Sequence, residues 1–202
     1  MRVTAQVQAA TREKILEVAK ELFVSQGFGA TTTRDIAKAA GIATGTMFNY
    51  FSSKEAVVGS LATEALADLE VDFNRSDREG LSLEEDLFAF VAAGLRKLKP
   101  LRKHLPVVLG TALSPACADV DDDCSRLRIS HLEAIAQLAH QHGVKELPTL
   151  ALQIYWSLYA GLLQYWANDT SPRQEDTLAL LDHSLNMFVR WLTDSSNKPQ
   201  ET

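Results

Sequence analysis

The chain has 202 residues, of which 46% are hydrophobic, enough for one large domain or for a small domain beside a medium one and too many for wholesale disorder. The net charge is −6, yet residues 1–54 hold seven Lys and Arg against four Asp and Glu (+3), while residues 55–202 hold thirteen against twenty-two (−9). Two Cys exclude a disulfide scaffold, and with no apolar signal-like segment at the N-terminus they favour a cytoplasmic protein.

The N-terminal segment is expected to begin without structure. Residues 1–10 are polar and have no periodicity, which predicts a disordered arm. Apolar residues then recur at helical spacing and predict a helix over 11–26. Thr11 can cap the start of this helix, and Gly27 suits the left-handed position after its end.

Two short helices are predicted next. Thr32 and Asp35 have the spacing of a capping box, with Asp in place of the usual Glu, and mark the start of the first. Gly41 ends it, and the second is expected over about 43–51. Two short helices joined by a glycine turn and packed on a preceding helix have the geometry of a helix-turn-helix.

The rest of the chain is expected to be helical as well. No strand-like alternation is present, so the fold class is predicted to be all-α, with about nine helices. The domains expected are a three-helix domain over 11–53, a larger helical domain over 54–194 and a disordered tail over 195–202. Helices of the larger domain are predicted to start near Lys54, to follow Ser82, to end near His142, and to cover 149–167 and 173–193.

The two short helices have the residue types that a DNA reader needs. Ala37 and Ala40 are small, so the second helix can cross close to the first. The second helix begins with Thr44, Gly45 and Thr46, whose small side chains allow its backbone to approach base edges in the major groove.

This region resembles the DNA-binding domain of the TetR family of transcriptional regulators. The resemblance covers about a quarter of the chain in one uninterrupted register. The remaining three quarters are similar to the family only in length and helical layout. The matching residues are Gly27-Phe28, Thr31-Thr32-Thr33-Arg34-Asp35-Ile36-Ala37, Ala40-Gly41-Ile42-Ala43-Thr44-Gly45-Thr46-Met47-Phe48-Asn49-Tyr50-Phe51 and Lys54-Glu55.

The resemblance implies contacts to double-stranded operator DNA. Thr33 would hold a phosphate at the start of the first short helix, and Tyr50 and Lys54 would bind the DNA backbone. The first residues of the second helix would meet base edges and nearby phosphates. The full set of expected DNA contacts is Thr33, Arg34, Ala43, Thr44, Gly45, Thr46, Phe48, Asn49, Tyr50 and Lys54.

The sequence departs from the family pattern at two of these positions. Ala43 stands where Ser is usual, and Phe48 stands where Tyr is usual, so two hydroxyl groups are absent. Each lost hydrogen bond costs about 1 kcal/mol. Either DNA binding is weaker than in other members, or Asn49 and Arg34 compensate.

The segment 149–167 is apolar on two sides. A transmembrane helix is disfavoured because Gln153, Ser157 and Gln164 interrupt it. A helix with two apolar sides needs two partners. The helix over 173–193 supplies one, and a second copy of the chain is the natural cover for the other. The sequence therefore predicts a homodimer through 149–167 and 173–193 and no membrane association.

The middle helices are expected to enclose a small-molecule pocket with apolar walls and a few polar groups. Each candidate residue also fits an ordinary core position, and His131 fits a core histidine better than a ligand contact. The candidate lining residues are Phe88, Phe90, Leu95, Leu109, His131, Ile135, Trp156 and Tyr159.

No catalytic residues, metal ligands or cofactors are predicted. Cys117 and Cys124 fit two structural thiols better than a redox switch. The acidic run 119–123 lacks the glycine and terminal Glu of a calcium loop. The chain has no phosphate-binding loop, nucleophile elbow or zinc signature, so an enzyme is not expected.

The resemblance implies a repressor that a small apolar or aromatic ligand releases from a palindromic operator. Two alternatives remain open. One is a ligand-binding helical protein with weak or vestigial DNA binding, and the other is an activator without a small-molecule inducer.

Overall fold

The structure is a computed structural model that describes residues 5–67, 69, 73, 80–104, 123–145 and 147–196. Within these ranges the chain forms α-helices and two short 3-10 turns and no strand, which confirms the predicted all-α fold. The helices are α1 (Ala5–Ser25), α2 (Thr33–Ala40), α3 (Thr44–Met47), α4 (Lys54–Ala67), α5 (Leu83–Leu98), α6 (Asp123–Gln141), α7 (Thr149–Asn168) and α8 (Glu175–Ser196), with 3-10 turns at Lys99–Leu101 and Pro172–Gln174.

Helix α1 begins earlier than the sequence predicted. It starts at Ala5, so most of the expected N-terminal arm is helical. Thr11 lies within the helix and not at its N-cap, and its hydroxyl donates to the Val7 carbonyl at 2.8 Å. Residues 5–10 are exposed. Ala and Gln are good helix formers, and an exposed turn needs no apolar periodicity, so the pattern gave no signal there.

The local signals around α2 are confirmed. The Thr32 hydroxyl accepts from the Asp35 backbone N–H at 3.2 Å, and the Asp35 carboxylate accepts from the Thr32 N–H at 2.9 Å, which closes the capping box. These hydrogen bonds from Thr32 hold the pKa of Asp35 below its usual value. Gly41 has φ +73 and ends α2 in the left-handed conformation.

Helix α4 belongs to both parts of the molecule. It packs against α1 on one side and against α5 and α6 on the other. Val57 and Val58 in its first half are fully buried, and one continuous core runs from α1 through α4 into the larger helical body. A movement of α4 relative to the body would therefore carry the first three helices with it.

The ends of α7 and α8 are held together by a polar cluster. Arg102 donates to the Trp166 carbonyl at 2.7 Å and to the Asp169 carbonyl. Asp169 accepts from the backbone N–H groups of Ser171 at 2.7 Å and Thr177 at 3.0 Å. Burial raises the pKa of Asp169, but hydrogen bonds from Ser171 and Thr177 outweigh that effect and lower it. The cluster fixes the crossing of α7 and α8.

The C-terminal boundary differs slightly from the prediction. Helix α8 extends to Ser196, so residues 195 and 196 of the expected tail are helical, and residues 197–202 lie outside the described ranges. The predicted spans 149–167 and 173–193 match α7 and α8 within a few residues. No helix in the described part of the chain combines the length and apolar character that a membrane crossing requires.

Candidate nucleic-acid interface and ligand pocket

Helices α2 and α3 form a helix-turn-helix on α1. Ile36, Met47 and Phe51 are buried beneath the two short helices, and Ala37 and Ala40 bring α2 close to its neighbours. Helix α3 is shorter than predicted, because only residues 44–47 are helical and residues 48–50 form turns. The buried side chains fix the orientation of α3, and its other face points away from the core.

The outer face of α3 is small and polar, as the sequence indicated. Gly45 is exposed, and Thr44 and Thr46 are half-buried. Ala43 occupies the N-cap position and makes no side-chain cap hydrogen bond. Nothing among the described residues lies within 4 Å of a Cβ placed on Gly45. The backbone at Gly45 is therefore open to a large partner.

Phe48, Asn49 and Tyr50 follow α3 in the turns. Phe48 is 51% exposed. Asn49 is exposed and Tyr50 is half-buried. At the start of α2, Arg34 is exposed and Thr33 is half-buried. These residues and the outer residues of α3 belong to one short segment, 33–50, and the core side chains between them point inward.

Lys54 differs in its surroundings from the other candidate DNA contacts. Its ammonium group donates to the carbonyl oxygens of Phe28 at 2.8 Å and Thr31 at 3.1 Å. It also stands 4.2 Å from the centroid of the Phe28 ring, which is a cation–π contact. Lys54 therefore ties the start of α4 to the loop between α1 and α2, a structural role that the sequence reasoning missed.

The same loop meets the larger body. The Phe28 ring lies 5.2 Å from Phe23 of α1, and His104 lies 5.7 Å from each of these rings. Burial lowers the pKa of His104, and the nearby charge of Lys103 lowers it further. His104 follows the 3-10 turn after α5, so this aromatic group joins the helix-turn-helix domain to the body.

The body contains a buried cluster of aromatic rings around His131. The imidazole stacks on Tyr159 at 4.1 Å between centroids and lies 6.2 Å from Trp156. Phe90 stands 5.7 Å from the same imidazole, and its ring packs edge-on against Phe73. Four of the predicted pocket residues are therefore brought together: Phe90, His131, Trp156 and Tyr159.

His131 has a polar partner that the sequence reasoning missed. Its Nε2 lies 3.0 Å from the Tyr155 hydroxyl oxygen. Burial lowers the pKa of His131 to about 3, so the ring is neutral at pH 7, and burial raises the pKa of Tyr155 and Tyr159. Tyr155 lies outside the two apolar stripes that helical spacing predicts for α7. One stripe consists of Leu150, Ile154, Leu158, Leu162 and Tyr165, and the other of Leu152, Trp156, Tyr159, Leu163 and Trp166. The spacing of four residues between Tyr155 and Tyr159 was the available signal.

The other predicted pocket residues have different positions. Ile135 is buried one helical turn after His131, and Leu95 is buried in α5. Phe88 makes no ring contact with the cluster among the described residues and lines a surface groove between α5 and α8. Its expected place in the pocket is therefore not supported, because residues two apart on a helix, such as Phe88 and Phe90, point to nearly opposite faces. Leu109 and Cys117 lie outside the described residues.

A small cavity of about 10 Å³ adjoins the cluster between α5, α7 and α8. That is about the space of one water molecule, so a ligand would have to widen it by displacing side chains. Its lining residues are Val91, Tyr155, Leu158, Tyr159, Leu162, Leu181, Ser184 and Leu185.

Helix α7 has two apolar stripes, and a single chain leaves only the ends of one of them uncovered. Trp156, Tyr159 and Trp166 of one stripe are buried. In the other stripe Leu162 is buried and Ile154 and Leu158 are half-buried, while Leu150 is 62% exposed and Tyr165 is 44% exposed at its two ends. On α8, Leu180 and Met187 are also exposed.

Comparisons with known proteins agree with this architecture. Residues 15–61 match the family model described as bacterial regulatory proteins, tetR family. The HTH-type transcriptional repressor KstR2 of Rhodococcus jostii is 37% identical over 84 residues, which are 42% of this chain and 41% of that protein. TtgW of Pseudomonas putida, an uncharacterized HTH-type transcriptional regulator, is 33% identical over 94 residues, 46% of this chain and 67% of that protein. The chain belongs to the TetR family.

The likeness to TetR-family members extends to the body. The crystal structure of Thermus thermophilus FadR, a TetR-family transcriptional repressor in complex with lauroyl-CoA, aligns with a TM-score of 0.70 at 27% identity. The alignment covers 88% of this chain and 93% of that one. By sequence, the chain spans less than half the length of the KstR2 proteins that it matches. The body therefore shares the TetR-family fold, while sequence identity is concentrated near the N-terminus.

Proposed function

We propose that the chain is a DNA-binding transcriptional repressor that acts in the cytoplasm as a homodimer on a palindromic operator. A small apolar or aromatic ligand bound in the body releases it. The observation that carries the proposal is the outer face of α3, where Gly45 is fully open between two small hydroxyl side chains on a helix held by a buried core. A face of this kind fits the floor of the major groove.

The residues around α3 divide into two roles in this proposal. Thr44, Gly45 and Thr46 meet base edges, with Ala43 and Phe48 at the margin of the same contact. The contacts to the sugar-phosphate backbone come from Thr33, Arg34, Asn49, Tyr50 and Lys54. Lys54 has used its ammonium group in two internal hydrogen bonds, so only one of its three N–H donors is left for a phosphate.

The uncovered ends of one apolar stripe of α7 support the homodimer. Leu150 and Tyr165 lie at opposite ends of the helix, and Gly161 between them has open space where a side chain would stand. A second copy that packs α7 and α8 against their mates would cover this stripe and hold two α3 helices in a fixed spacing. The spacing of the half-sites then follows from the spacing of the α3 helices.

The aromatic cluster supports a ligand with a flat or apolar body. Its rings are neutral and close to one another, and only a small pocket adjoins them. The lauroyl-CoA complex of Thermus thermophilus FadR supports a ligand site within this fold. A ligand that bound better when the α3 helices were wrongly spaced would release DNA, because the difference in affinity between the two states sets the effect.

The decisive experiment is operator selection from random duplex DNA with the purified full chain, followed by gel shifts of the selected sequence. We expect a palindromic site and an affinity that falls steeply with salt, because phosphate contacts release counterions. The control is the variant Thr44→Asp and Thr46→Asp, which places two negative charges on the same face and should abolish binding. Enrichment of no duplex at low salt would contradict the proposal.

A second function is favoured by one local observation. Ala43 makes no side-chain cap hydrogen bond and Phe48 is exposed without a hydroxyl group, so the interface has fewer donors than the family pattern offers. This favours a ligand-binding helical protein in which DNA binding is vestigial. The same selection separates the two functions. A vestigial interface would bind all duplexes equally and would not enrich a palindrome.

A further inference from the structure

The indole of Trp156 contains a buried donor without an acceptor. Trp156 is 4% exposed, and its Nε1 has no hydrogen-bond partner among the described residues. Buried N–H groups are nearly always paired in folded proteins, because removing them from water without a partner is costly. In the neighbouring residues, the Nε2 of His131 and the hydroxyl group of Tyr155 are hydrogen-bonded to each other. An unpaired donor at this place therefore indicates an acceptor that comes from outside the described residues, and a bound ligand would supply one.

A positive charge lies on the same indole. The guanidinium carbon of Arg128, in the first turns of α6, stands 5.4 Å from the centroid of the Trp156 ring. Its Nη2 donates to the Gln153 Oε1 at 2.8 Å, which holds the guanidinium group of α6 against α7. No carboxylate among the described residues lies within salt-bridge distance of Arg128. Its charge is half-buried and is not neutralised by the described protein.

The other side of the indole is apolar and uncharged. Tyr159 lies 5.7 Å from the Trp156 ring, and His131 next to it is kept neutral by burial. A charged group would lose its hydration in that cluster and gain no counter-charge. An apolar body fits there, while a negative charge is stabilised only at the Arg128 end.

We propose that the effector is an organic anion with an apolar body and a carboxylate, which accepts a hydrogen bond from Trp156 Nε1 and is neutralised by Arg128. The apolar body displaces side chains beside Tyr159 and extends into the pocket between α5, α7 and α8. This inference rests on the proposed function, in that it assigns a chemical class to the ligand of the same body. It makes Arg128 and Trp156 the residues that select for charge.

The test uses two matched pairs of probes, dodecanoate with 1-dodecanol and 2-naphthoate with 2-naphthol. Each pair has one body and differs in the charged group. Binding is followed on the ¹⁵N-labelled full chain through the indole N–H signals of its three Trp residues, and the Trp156 signal is assigned with Trp156→Phe. We expect at least one carboxylate to bind about tenfold more tightly than its alcohol and to move the Trp156 signal, because hydrogen bonds to charged groups are the stronger ones.

The variant Arg128→Gln should remove this preference. We expect its carboxylate affinity to fall about tenfold while the alcohol affinity stays unchanged. Arg128→Lys, which keeps the charge, should retain part of the preference. Arg96→Gln is the matched control, because it removes the same charge from an exposed position of α5 and should change nothing. Equal affinity for acid and alcohol, an unchanged preference in Arg128→Gln, or no binding by any of the four probes would overturn the proposal.

Gel shifts with the selected operator separate this inference from the proposed function. If no duplex binds but Arg128 still selects carboxylates, the proposed function fails and the anion site stands. If the operator binds and the probes show no charge preference, the regulator stands and the anion site fails.

Discussion

At the scale of single residues, His131 shows how burial changes chemistry that the sequence alone leaves undefined. An ordinary histidine begins to take up a proton near pH 6.5. His131 does so only near pH 3, because burial among aromatic rings disfavours the charged form. The unfolded chain therefore binds this proton at mildly acidic pH and the folded chain does not. Stability from the neutral ring is complete above pH 6.5 and is lost as the pH falls towards 3.

The acid dependence of unfolding tests this assignment. Below pH 6.5, His131 should cost the folded chain about 1.4 kcal/mol of unfolding free energy per pH unit. We expect the wild-type chain to lose about 1 kcal/mol more than His131→Gln between pH 6.5 and 5.5, because the unfolded histidine is only half protonated at the upper pH; urea unfolding at each pH measures this. His104, whose pKa is also lowered, contributes equally to both proteins and cancels. Parallel pH profiles for the two proteins would show that His131 is protonated when folded.

Lys54 shows that one side chain can serve both fold and function. We expect Lys54→Ala to lower the thermal midpoint, because the loop carbonyls of Phe28 and Thr31 lose their donor. We also expect it to weaken all DNA sequences alike and to reduce the salt slope of binding by about one, the signature of one phosphate contact.

Lys20→Ala is the control for Lys54, since it removes the same charge from an exposed site on α1. It should leave the thermal midpoint unchanged. If Lys54→Ala lowered the midpoint and left the salt slope as it was, Lys54 would act only within the protein and not on DNA.

At the scale of elements, the two glycines of the helix-turn-helix are needed for different reasons, Gly41 for its backbone conformation and Gly45 for the space that it leaves open. Gly41 has φ +73 and ends α2, so Gly41→Ala places a side chain in a strained conformation and should cost about 1 kcal/mol of stability. Gly45 lies in α3 with open space at its Cβ, so Gly45→Ala should slightly stabilise the free protein.

Gly45→Ala should affect DNA binding more than Gly41→Ala does, although it is the less harmful of the two for stability. Gly45→Ala adds a methyl group to the face proposed to meet the major groove, so we expect weaker operator binding by a more stable protein. Gly41→Ala should lower stability and leave the affinity of the folded fraction close to wild type. Thermal unfolding and gel shifts of both variants check this. Undiminished operator affinity in Gly45→Ala would place the DNA contact elsewhere.

At the scale of the whole molecule, the exposed ends of one apolar stripe of α7, Leu150 and Tyr165, are the feature behind the proposed homodimer. Gly161 has no neighbour at its Cβ position, so Gly161→Glu should not disturb the subunit and should improve its helix propensity. In the proposed dimer the new charge would be buried between two copies. We expect sedimentation to show a folded monomer with at least about tenfold weaker operator binding.

Gln137→Glu is the matched control for Gly161→Glu. It adds the same charge to an exposed position of α6, away from that stripe of α7, and should remain dimeric. A dimer in Gly161→Glu with unchanged stability would move the interface to another face of the molecule.

Charge is distributed unevenly over the whole chain in a way that supports the same orientation. The first 54 residues hold the net charge of +3 and the rest holds −9. A dimer would approach DNA with its two helix-turn-helix domains, and the acidic bodies would be repelled from the phosphates.

Local sequence signals determined both ends of α2 and the start of α5. The capping boxes Thr32–Asp35 and Ser82–Glu85 and the left-handed Gly41 depend on residues within a few positions of one another, so a sequence pattern is sufficient to predict them. The helix-turn-helix was predictable for the same reason. The start of α1 was not, because exposed turns made of Ala and Gln have no periodicity to read.

Only the tertiary structure decided what the long side chains touch. Three contacts join residues that are far apart in sequence: Tyr155 with His131, Lys54 with the loop before α2, and Arg128 with Trp156. Phe88, in contrast, lies away from the aromatic cluster because it is on the other face of its helix. Periodicity places a residue on a face, but the neighbour of that face depends on how helices cross. The sequence determined the DNA-reading element, and packing determined the charge and donors that surround the pocket.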